Sequence, residues 1–200
     1  SIIMPAMYFP IIFMLLALVF RGVAFEFRFV SKPNHKMWDV AFSGGSYTAA
    51  FCQGLVLGGV LDGITVTDAR FTGGPFDFLS PFAIACGFGL ICGYALLGST
   101  WLMMRVGGTA GTKARGWAFP ALVLMLVFIV VVSVWTLLMD PHISDRWFSR
   151  PNIYVLWLVP IATALLALMA MRSIDSDRGF PAFAASVGLF LLCFLGLGIS

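Results

Sequence analysis

Residues 116–139 read GWAFPALVLMLVFIVVVSVWTLLM, a run of 24 positions without a single Asp, Glu, Lys or Arg. The hydrocarbon core of a bilayer is about 30 Å thick, and a helix that rises 1.5 Å per residue needs about 20 apolar residues to cross it. A helix on the surface of a soluble core carries charge on one face. The run therefore predicts a transmembrane helix.

Five more runs are also free of charge. Each of the six runs has between 20 and 27 residues. They cover residues 1–20, 40–61, 78–104, 151–171 and 179–200. Only 10% of the residues are charged, against about 25% in an average soluble domain. The pattern predicts an all-α, polytopic transmembrane bundle with six crossings.

The whole chain, 1–200, is predicted to be a single membrane domain, because six crossings leave little chain for a soluble one. The predicted helices lie at about 2–20, 40–61, 79–104, 116–139, 152–171 and 180–200. The chain opens at Ser1 directly in apolar sequence and stops at Ser200 at the end of another apolar run. We expect it to be a piece of a longer membrane protein.

Basic residues are distributed unevenly among the predicted loops. Loops 21–39, 105–115 and 172–178 contain nine Lys or Arg residues, whereas loops 62–77 and 140–150 contain three. By the positive-inside rule the first group is predicted to face the cytoplasm, which places the N-terminus of this piece outside. Loop 62–77 also contains an alternating segment, ITVT, and a Gly-Gly pair at 73–74, which together favour a short hairpin.

Small residues predict how the helices pack, because lipid tails are as apolar as Leu and helices gain by close backbone approach. Gly54 and Gly58 continue a stripe of small residues at four-residue spacing in the second run, and Gly89 and Gly93 have the same spacing in the third. A contact within the chain and a contact with another subunit fit this pattern equally well.

No catalytic constellation and no metal-binding motif is found in the sequence. A haem in a membrane protein is usually held by an axial His on a helix. The chain has two His residues, His35 and His142, and both fall in predicted loops. We therefore expect these 200 residues to bind no haem and no metal ion, and any redox centre to belong to another chain.

One acidic residue stands out at the end of the first run. Glu26, the only Glu, lies between Arg21 and Arg28 and is flanked by Phe25 and Phe27. A carboxylate at a membrane face could accept and release protons at the mouth of a polar path. The alternative, an interfacial salt bridge that orients the loop, is favoured by the residues alone.

Asp39 follows Trp38 at the start of the second run. A negative charge at a helix N-terminus is favoured by the helix dipole, and this structural reading is preferred for Asp39.

Five segments of the chain resemble a known family. They are RGVAFEFR at 21–28, Trp38-Asp39, Gln53-Gly54 with Gly58-Gly59, GGPFDFLSPF at 73–82 and GYALLGSTWL at 93–102. In order and separation the segments resemble subunit II of the bacterial cytochrome bd-type quinol oxidases, in particular the cyanide-insensitive branch. The resemblance covers essentially the whole chain, and RGVAFEFR and GYALLGSTWL are its most specific parts.

The resemblance implies a subunit of nine crossings, of which this piece looks like the third to the eighth. It implies an enzyme of the bacterial plasma (inner) membrane that oxidises quinol and reduces dioxygen to water. Haem b and haem d would belong to the partner, subunit I, which this chain would help to hold in place. Glu26 would line a cytoplasmic proton path, with Arg21, Arg28 and Asp39 as its electrostatic surroundings. The expected partners are subunit I and the lipid bilayer, with no nucleic acid.

Two other classes of protein remain as alternatives. A secondary transporter would need a midplane binding site at broken helices in two matching repeats. No convincing repeat is visible, and no crossing contains a central charge. A purely structural membrane subunit without a proton role is the second alternative.

Overall fold

The structure is a computed structural model of the chain, and it describes residues 7–30, 35–62, 66–67, 70–71, 79–139 and 152–199. Six α-helices make up nearly all of these residues. They are α1 (Tyr8–Val30), α2 (His35–Leu61), α3 (Pro81–Arg105), α4 (Gly108–Met139), α5 (Asn152–Asp175) and α6 (Gly179–Ile199). The predicted all-α class is confirmed.

A short hairpin lies between α2 and α3, as the sequence predicts. Strand β1 (Val66–Thr67) pairs antiparallel with β2 (Arg70–Phe71), with Val66 opposite Phe71. The Gly-Gly pair predicted to form a turn lies outside the described residues.

The helices extend beyond the charge-free runs, so the predicted loop boundaries are wrong. Helix α1 continues to Val30 and α2 begins at His35, which makes most of the predicted loop 21–39 helical. Likewise, α4 begins at Gly108 and α5 ends at Asp175, inside predicted loops 105–115 and 172–178. The absence of charge marks the thickness of the hydrocarbon, whereas a helix continues into the headgroup region, where charged side chains reach water.

Among the described residues, four helical segments are long and apolar enough to cross a membrane: Tyr8–Val30, Pro81–Arg105, Gly108–Thr136 and Gly179–Gly196. Six crossings are therefore not supported by length and composition. Helix α2 has five glycines as well as Gln53 and Tyr47, all of which lower its hydropathy. In α5 the described side chains begin at Val159 and the helix ends at Asp175. This part of the helix is too short to qualify as a crossing.

The chain forms two compact units, residues 1–91 and 92–200, and the boundary falls within α3. In the first unit α1 and α2 pack antiparallel. The buried face of α1 consists of Pro10, Ala17 and Ala24, which recur every seven residues. A Cβ placed on Gly45 would lie 2.9 Å from the carbonyl oxygen of Ala17, which shows how closely α2 approaches this face.

Unit 1 also contains the contact between α2 and the first half of α3. A Cβ on Gly54 would lie 2.5 Å from the α-carbon of Gly87, and one on Gly58 would lie 2.5 Å from the α-carbon of Ala83. Both distances are far below an ordinary contact of about 3.5–4.0 Å between carbon atoms. The two helices therefore touch backbone to backbone.

In the second unit the remainder of α3 packs with α4, α5 and α6 around an apolar core. Its most deeply buried members are Leu96, Ala118, Leu122, Ala170, Ile174, Ala182, Ala185 and Leu189. Thr100 and Ser186 have the two most deeply buried hydroxyl groups among the described residues of this unit, and both groups are satisfied within their own helices. Thr100 donates to the Leu96 carbonyl at 2.8 Å, and Ser186 donates to the Ala182 carbonyl at 2.8 Å.

Local sequence explains two of the helix ends. Ser80 precedes Pro81, and its hydroxyl oxygen accepts a hydrogen bond from the Ala83 N–H at 3.1 Å, which is an N-cap followed by proline at the first helical position. At the end of α5, Asp177 adopts a φ of +54°, and the Arg178 N–H donates to the Ser173 carbonyl at 2.9 Å. This Schellman-type turn ends α5 and leads directly into α6.

Candidate functional site

The antiparallel pairing of α1 and α2 brings the segment 21–28 beside the start of α2. At this end of the pair the Nε of Arg28 donates a hydrogen bond to the Oδ1 of Asp39, and the two side chains form a salt bridge. The Arg28 and Asp39 side chains are 47% and 50% exposed, so water weakens the pair to at most about 1 kcal/mol. The bridge joins the end of α1 to the first two turns of α2 and contributes little net stability.

His35, the first residue of α2, adds a second link to α1. Its Nδ1 lies 3.0 Å from the carbonyl oxygen of Arg28. Because a carbonyl oxygen only accepts, the proton must be on Nδ1, and the histidine donates. This bond satisfies one of the last carbonyl groups of α1, which have no partner within the helix.

Aromatic side chains fill the space around these polar links. The guanidinium carbon of Arg21 lies 5.9 Å from the ring centroid of Phe42. Phe25 contacts the same ring at 6.4 Å, and Phe27 stacks on Trp38 with centroids 5.1 Å apart. Both arginines of the 21–28 segment therefore face α2.

Glu26 lies on the other side of α1. At 100° per residue it is about 200° around the helix from Ala24, the buried residue that marks the α2 side, whereas Arg21 and Arg28 are within about 60° of Ala24. The Glu26 side chain is exposed, and within the described residues it makes no ion pair. The structure brings Arg28 and Asp39 together and leaves Glu26 apart from them.

The glycines predicted for helix packing occupy different environments. Gly54 and Gly58 lie against α3 within the chain, as described above. Gly93 faces the ring of Phe190, since a Cβ there would lie 3.1 Å from the ring edge. Gly89 is half-buried.

Two contributors to these contacts were missed at the level of sequence. Gly87, and not Gly89, meets Gly54; the small residue Ala83, four positions before Gly87, is a signal that could have identified it. The sequence predicts a loop at His35 and a helix N-terminal charge at Asp39, whereas α2 begins at His35 and has no acidic residue in its first turn. Asp39 lies in the second turn, so the interpretation of Asp39 as a charge at the helix N-terminus is wrong.

The described residues include one histidine, His35. No three His, Cys, Asp or Glu side chains lie together in a way that could hold a metal ion among them. The candidate spans contain no histidine, and His35 sits at the first residue of α2 with its Nδ1 engaged by a carbonyl. His142 lies outside the described residues.

The chain matches known proteins along its whole length. The family model described as cytochrome bd terminal oxidase subunit II matches residues 1–200. Subunit 2 of the cytochrome bd-I ubiquinol oxidase of Escherichia coli K12 is 24% identical over 94% of this chain and 57% of that protein. A Haemophilus influenzae protein named "probable cytochrome oxidase subunit 2" is also 24% identical, over 90% of this chain and 56% of its own length.

A third relative has a similar level of identity. Subunit 2 of the cytochrome bd ubiquinol oxidase of Bacillus subtilis 168 is 27% identical over 84% of this chain and 48% of its own length. The chain thus spans about half the length of the curated relatives that it matches.

Proposed function

The chain belongs to the cytochrome bd terminal oxidase subunit II family, and we propose that it acts as the non-haem subunit of a terminal quinol:oxygen oxidoreductase of the respiratory chain. The family match over all 200 residues is the observation that carries the proposal. The apolar helices and the family together indicate a protein of the bacterial inner membrane. Its own work in the complex would be to hold the partner subunit and to provide access for protons.

The partner would bind the redox groups. Haem b and haem d would reside in subunit I, and a quinol would be the substrate of the whole complex. This division is supported by the histidines of this chain, since none falls in a candidate span and an axial histidine on a helix is the usual ligand of a membrane haem. When bound in the partner, the haems supply the electron transfer to dioxygen, and this chain supplies packing surface and carboxylates.

Glu26 is the proposed proton-carrying group. Arg28 is engaged by Asp39, and Arg21 lies over Phe42, so neither guanidinium faces the Glu26 carboxylate. On the face of α1 opposite α2, that carboxylate is available to a path formed with another chain. Arg21, Arg28 and Asp39 would then act as positioning residues that fix the end of α1 on which Glu26 is carried.

All six helices would cross the membrane as one domain. Helix α2 packs antiparallel along α1, a candidate span, and four of its five glycines, Gly45, Gly54, Gly58 and Gly59, are buried. These four glycines lower the hydropathy of α2 on a side that lipid would not contact, whereas Gly44, Tyr47 and Gln53 are exposed. Helix α5 likewise packs along α6, where a Cβ on Gly188 would lie 2.8 Å from the Leu166 side chain.

The orientation follows from the distribution of charge. Segments 21–39, 105–115 and 172–178 carry most of the basic residues and would face the cytoplasm, with the N-terminus of this piece outside. Glu26 would then lie on the side from which the enzyme takes its protons.

The proton role is tested by replacing Glu26 in the intact oxidase. Glu26→Gln keeps the size of the side chain and removes the exchangeable carboxyl proton, so quinol-driven oxygen consumption is expected to slow while the haem content stays unchanged. Glu26→Asp keeps the carboxylate and serves as the matched control, with most of the activity retained. Equal turnover in the wild type and both variants would contradict the proton role and would favour a purely structural subunit.

A further inference from the structure

In the second unit, the turn between α3 and α4 and the turn between α5 and α6 lie side by side. A Cβ on Gly179 would lie 2.6 Å from the α-carbon of Met104, which brings the start of α6 against the end of α3. The Nη2 of Arg115, on α4, donates a hydrogen bond to the carbonyl oxygen of Asp175 at the end of α5. Four helix ends therefore form one continuous surface.

This surface is strongly basic. Five cationic side chains belong to it, and we call them the basic rim: Arg105, Lys113, Arg115, Arg172 and Arg178. The acidic residues beside them are Asp175 and Asp177, and Arg115 approaches the Asp177 carboxylate at 4.0 Å. The other four rim cations make no ion pair within the part of the chain that the structure describes, and all four are exposed.

The helix dipoles account for only some of these cations. Arg105 and Arg172 lie in the last turns of α3 and α5, where the dipole favours positive charge. Arg178 is different, because its carbonyl accepts a hydrogen bond from the Ala182 N–H at 3.2 Å and so marks the N-cap of α6. Lys113 lies in the second turn of α4.

Neither α4 nor α6 has an acidic residue in its first turn. Two helix N-termini, which favour anions, thus point to the same end as several unpaired cations. Asp175 and Asp177 offset two of the five charges, and the described part of this unit contains no further acidic residue, so a net positive potential remains. An anion from outside the chain would be stabilised by both the cations and the helix ends.

Two tryptophans show at which depth that anion would lie. The guanidinium carbon of Arg105 lies 5.1 Å from the Trp101 ring centroid, and the Trp117 side chain is 74% exposed. Tryptophan is enriched at the level of the lipid headgroups, where one edge of the ring meets hydrocarbon and the other meets water. We propose that the basic rim binds the phosphate of an anionic phospholipid, such as phosphatidylglycerol or cardiolipin.

The charged residues where α1 meets α2 differ from the basic rim. Beside α1 and α2, Arg28 is neutralised by Asp39 and Arg21 lies over Phe42. Those cations have partners in the chain, whereas the rim cations Lys113, Arg172 and Arg178 have no such partner among the described residues. The proposal is independent of the oxidase function, since it requires only that the helices cross a bilayer.

The test measures which lipids the intact protein retains. The protein is reconstituted in nanodiscs with equal amounts of phosphatidylethanolamine and phosphatidylglycerol, extracted into mild detergent, and analysed by native mass spectrometry. Phosphatidylglycerol is expected to be enriched on the wild type. Each cation near an anionic lipid surface changes binding by about fivefold, so the triple variant Lys113→Gln/Arg172→Gln/Arg178→Gln should lose about a hundredfold in preference at low salt.

Two further variants serve as controls. Lys36→Gln removes one exposed cation from the start of α2, outside the rim, and is expected to leave the preference for phosphatidylglycerol unchanged. Asp177→Asn removes the carboxylate nearest Arg115 and is expected to increase that preference. Equal retention of both lipids by the wild type, or an unchanged preference in the triple variant, would overturn the proposal.

Salt and phosphate decide the remaining cases without any variant. Sodium chloride should reduce the wild-type preference, because exposed charges are screened within about 10 Å at 0.1 M. A preference that does not respond to salt contradicts the proposal even if the triple variant fails to fold. If inorganic phosphate displaces the lipid at constant ionic strength, the rim is a site for free phosphate and the proposal is overturned. If the wild type retains an acidic polypeptide instead of lipid, and the triple variant loses that polypeptide, the rim is a site for a protein partner and the proposal is likewise overturned.

Discussion

The contact between Gly54 and Gly87 gives the sharpest test of the packing in unit 1. In Gly54→Ala the new Cβ would lie 2.5 Å from the Gly87 α-carbon and 2.8 Å from the Cys86 carbonyl oxygen. Carbon atoms in contact prefer about 3.5–4.0 Å, so α2 and α3 would have to separate by about 1 Å. Neither neighbouring atom belongs to a side chain that could rotate away.

The expected loss of stability in Gly54→Ala is obtained by comparison with a second glycine of the same helix. Gly44 has nothing within 4 Å of its would-be Cβ. Both substitutions gain about 1 kcal/mol of helix propensity, so the difference between them isolates the steric term. Overpacking against a rigid neighbour costs about 1–3 kcal/mol, and we expect Gly54→Ala to be less stable than Gly44→Ala by that amount.

Two buried thiols make the difference measurable. Cys52 and Cys86 are buried beside this contact, and a thiol-reactive fluorophore reports their exposure as the purified protein is heated in detergent. Gly54→Ala should expose them at a lower temperature than Gly44→Ala. Identical unfolding curves for the two variants would show that the backbones do not touch at Gly54, and the packing described for unit 1 would be wrong.

Two more predictions concern polar groups at the helix ends. Ser80→Ala removes the acceptor of the Ala83 N–H and should destabilise the protein by about 1 kcal/mol, while Ser80→Thr keeps the cap; equal thermal stability of the two variants would exclude a capping role. A double-mutant cycle with Arg28→Gln and Asp39→Asn should give a coupling energy of at most about 1 kcal/mol that diminishes with added salt, because both side chains are about half exposed. A coupling of several kcal/mol, or one insensitive to salt, would mean that the pair is buried in the intact protein.

The sequence was sufficient to predict the helical class, because runs of 20 or more uncharged residues have few other solutions. It could not locate the helix ends. Arg21, Glu26 and Arg28 were assigned to a loop since they are charged, yet backbone hydrogen bonding continues through them to Val30. Charge determines where a helix leaves the hydrocarbon, and caps or turns determine where the helix stops.

The extension of α1 to Val30 also explains why the sequence does not predict the position of Glu26 relative to the two arginines. In a loop, Glu26 would have been free to lie between the two arginines that flank it. On a helix the period of 3.6 residues turns both arginines toward α2 and turns Glu26 away. The partner of Arg28 is Asp39, eleven residues along the chain, and only the antiparallel pairing of two helices reveals it.

The spacing of the glycines predicts which of them share a helix face, but it does not predict which residues of the neighbouring helix they contact. The four-residue interval marks Gly54 and Gly58 as one stripe, and the structure places both against α3. On α3 several small residues compete, and the spacing favoured Gly89 whereas the contact is made by Gly87. The rotation of α3 about its axis decides between them, and that rotation depends on packing along the whole helix.

We propose that this chain serves an oxidase whose haems are held by another subunit. The most direct measurement isolates the intact complex through a tag on this chain, records its visible absorption spectrum, and then separates the chains under conditions that retain haem. The proposed function predicts haem bands in the complex, all of which leave with the partner chain. A porphyrin that remains bound to this chain after separation, or a tagged complex with no haem bands at all, would contradict it.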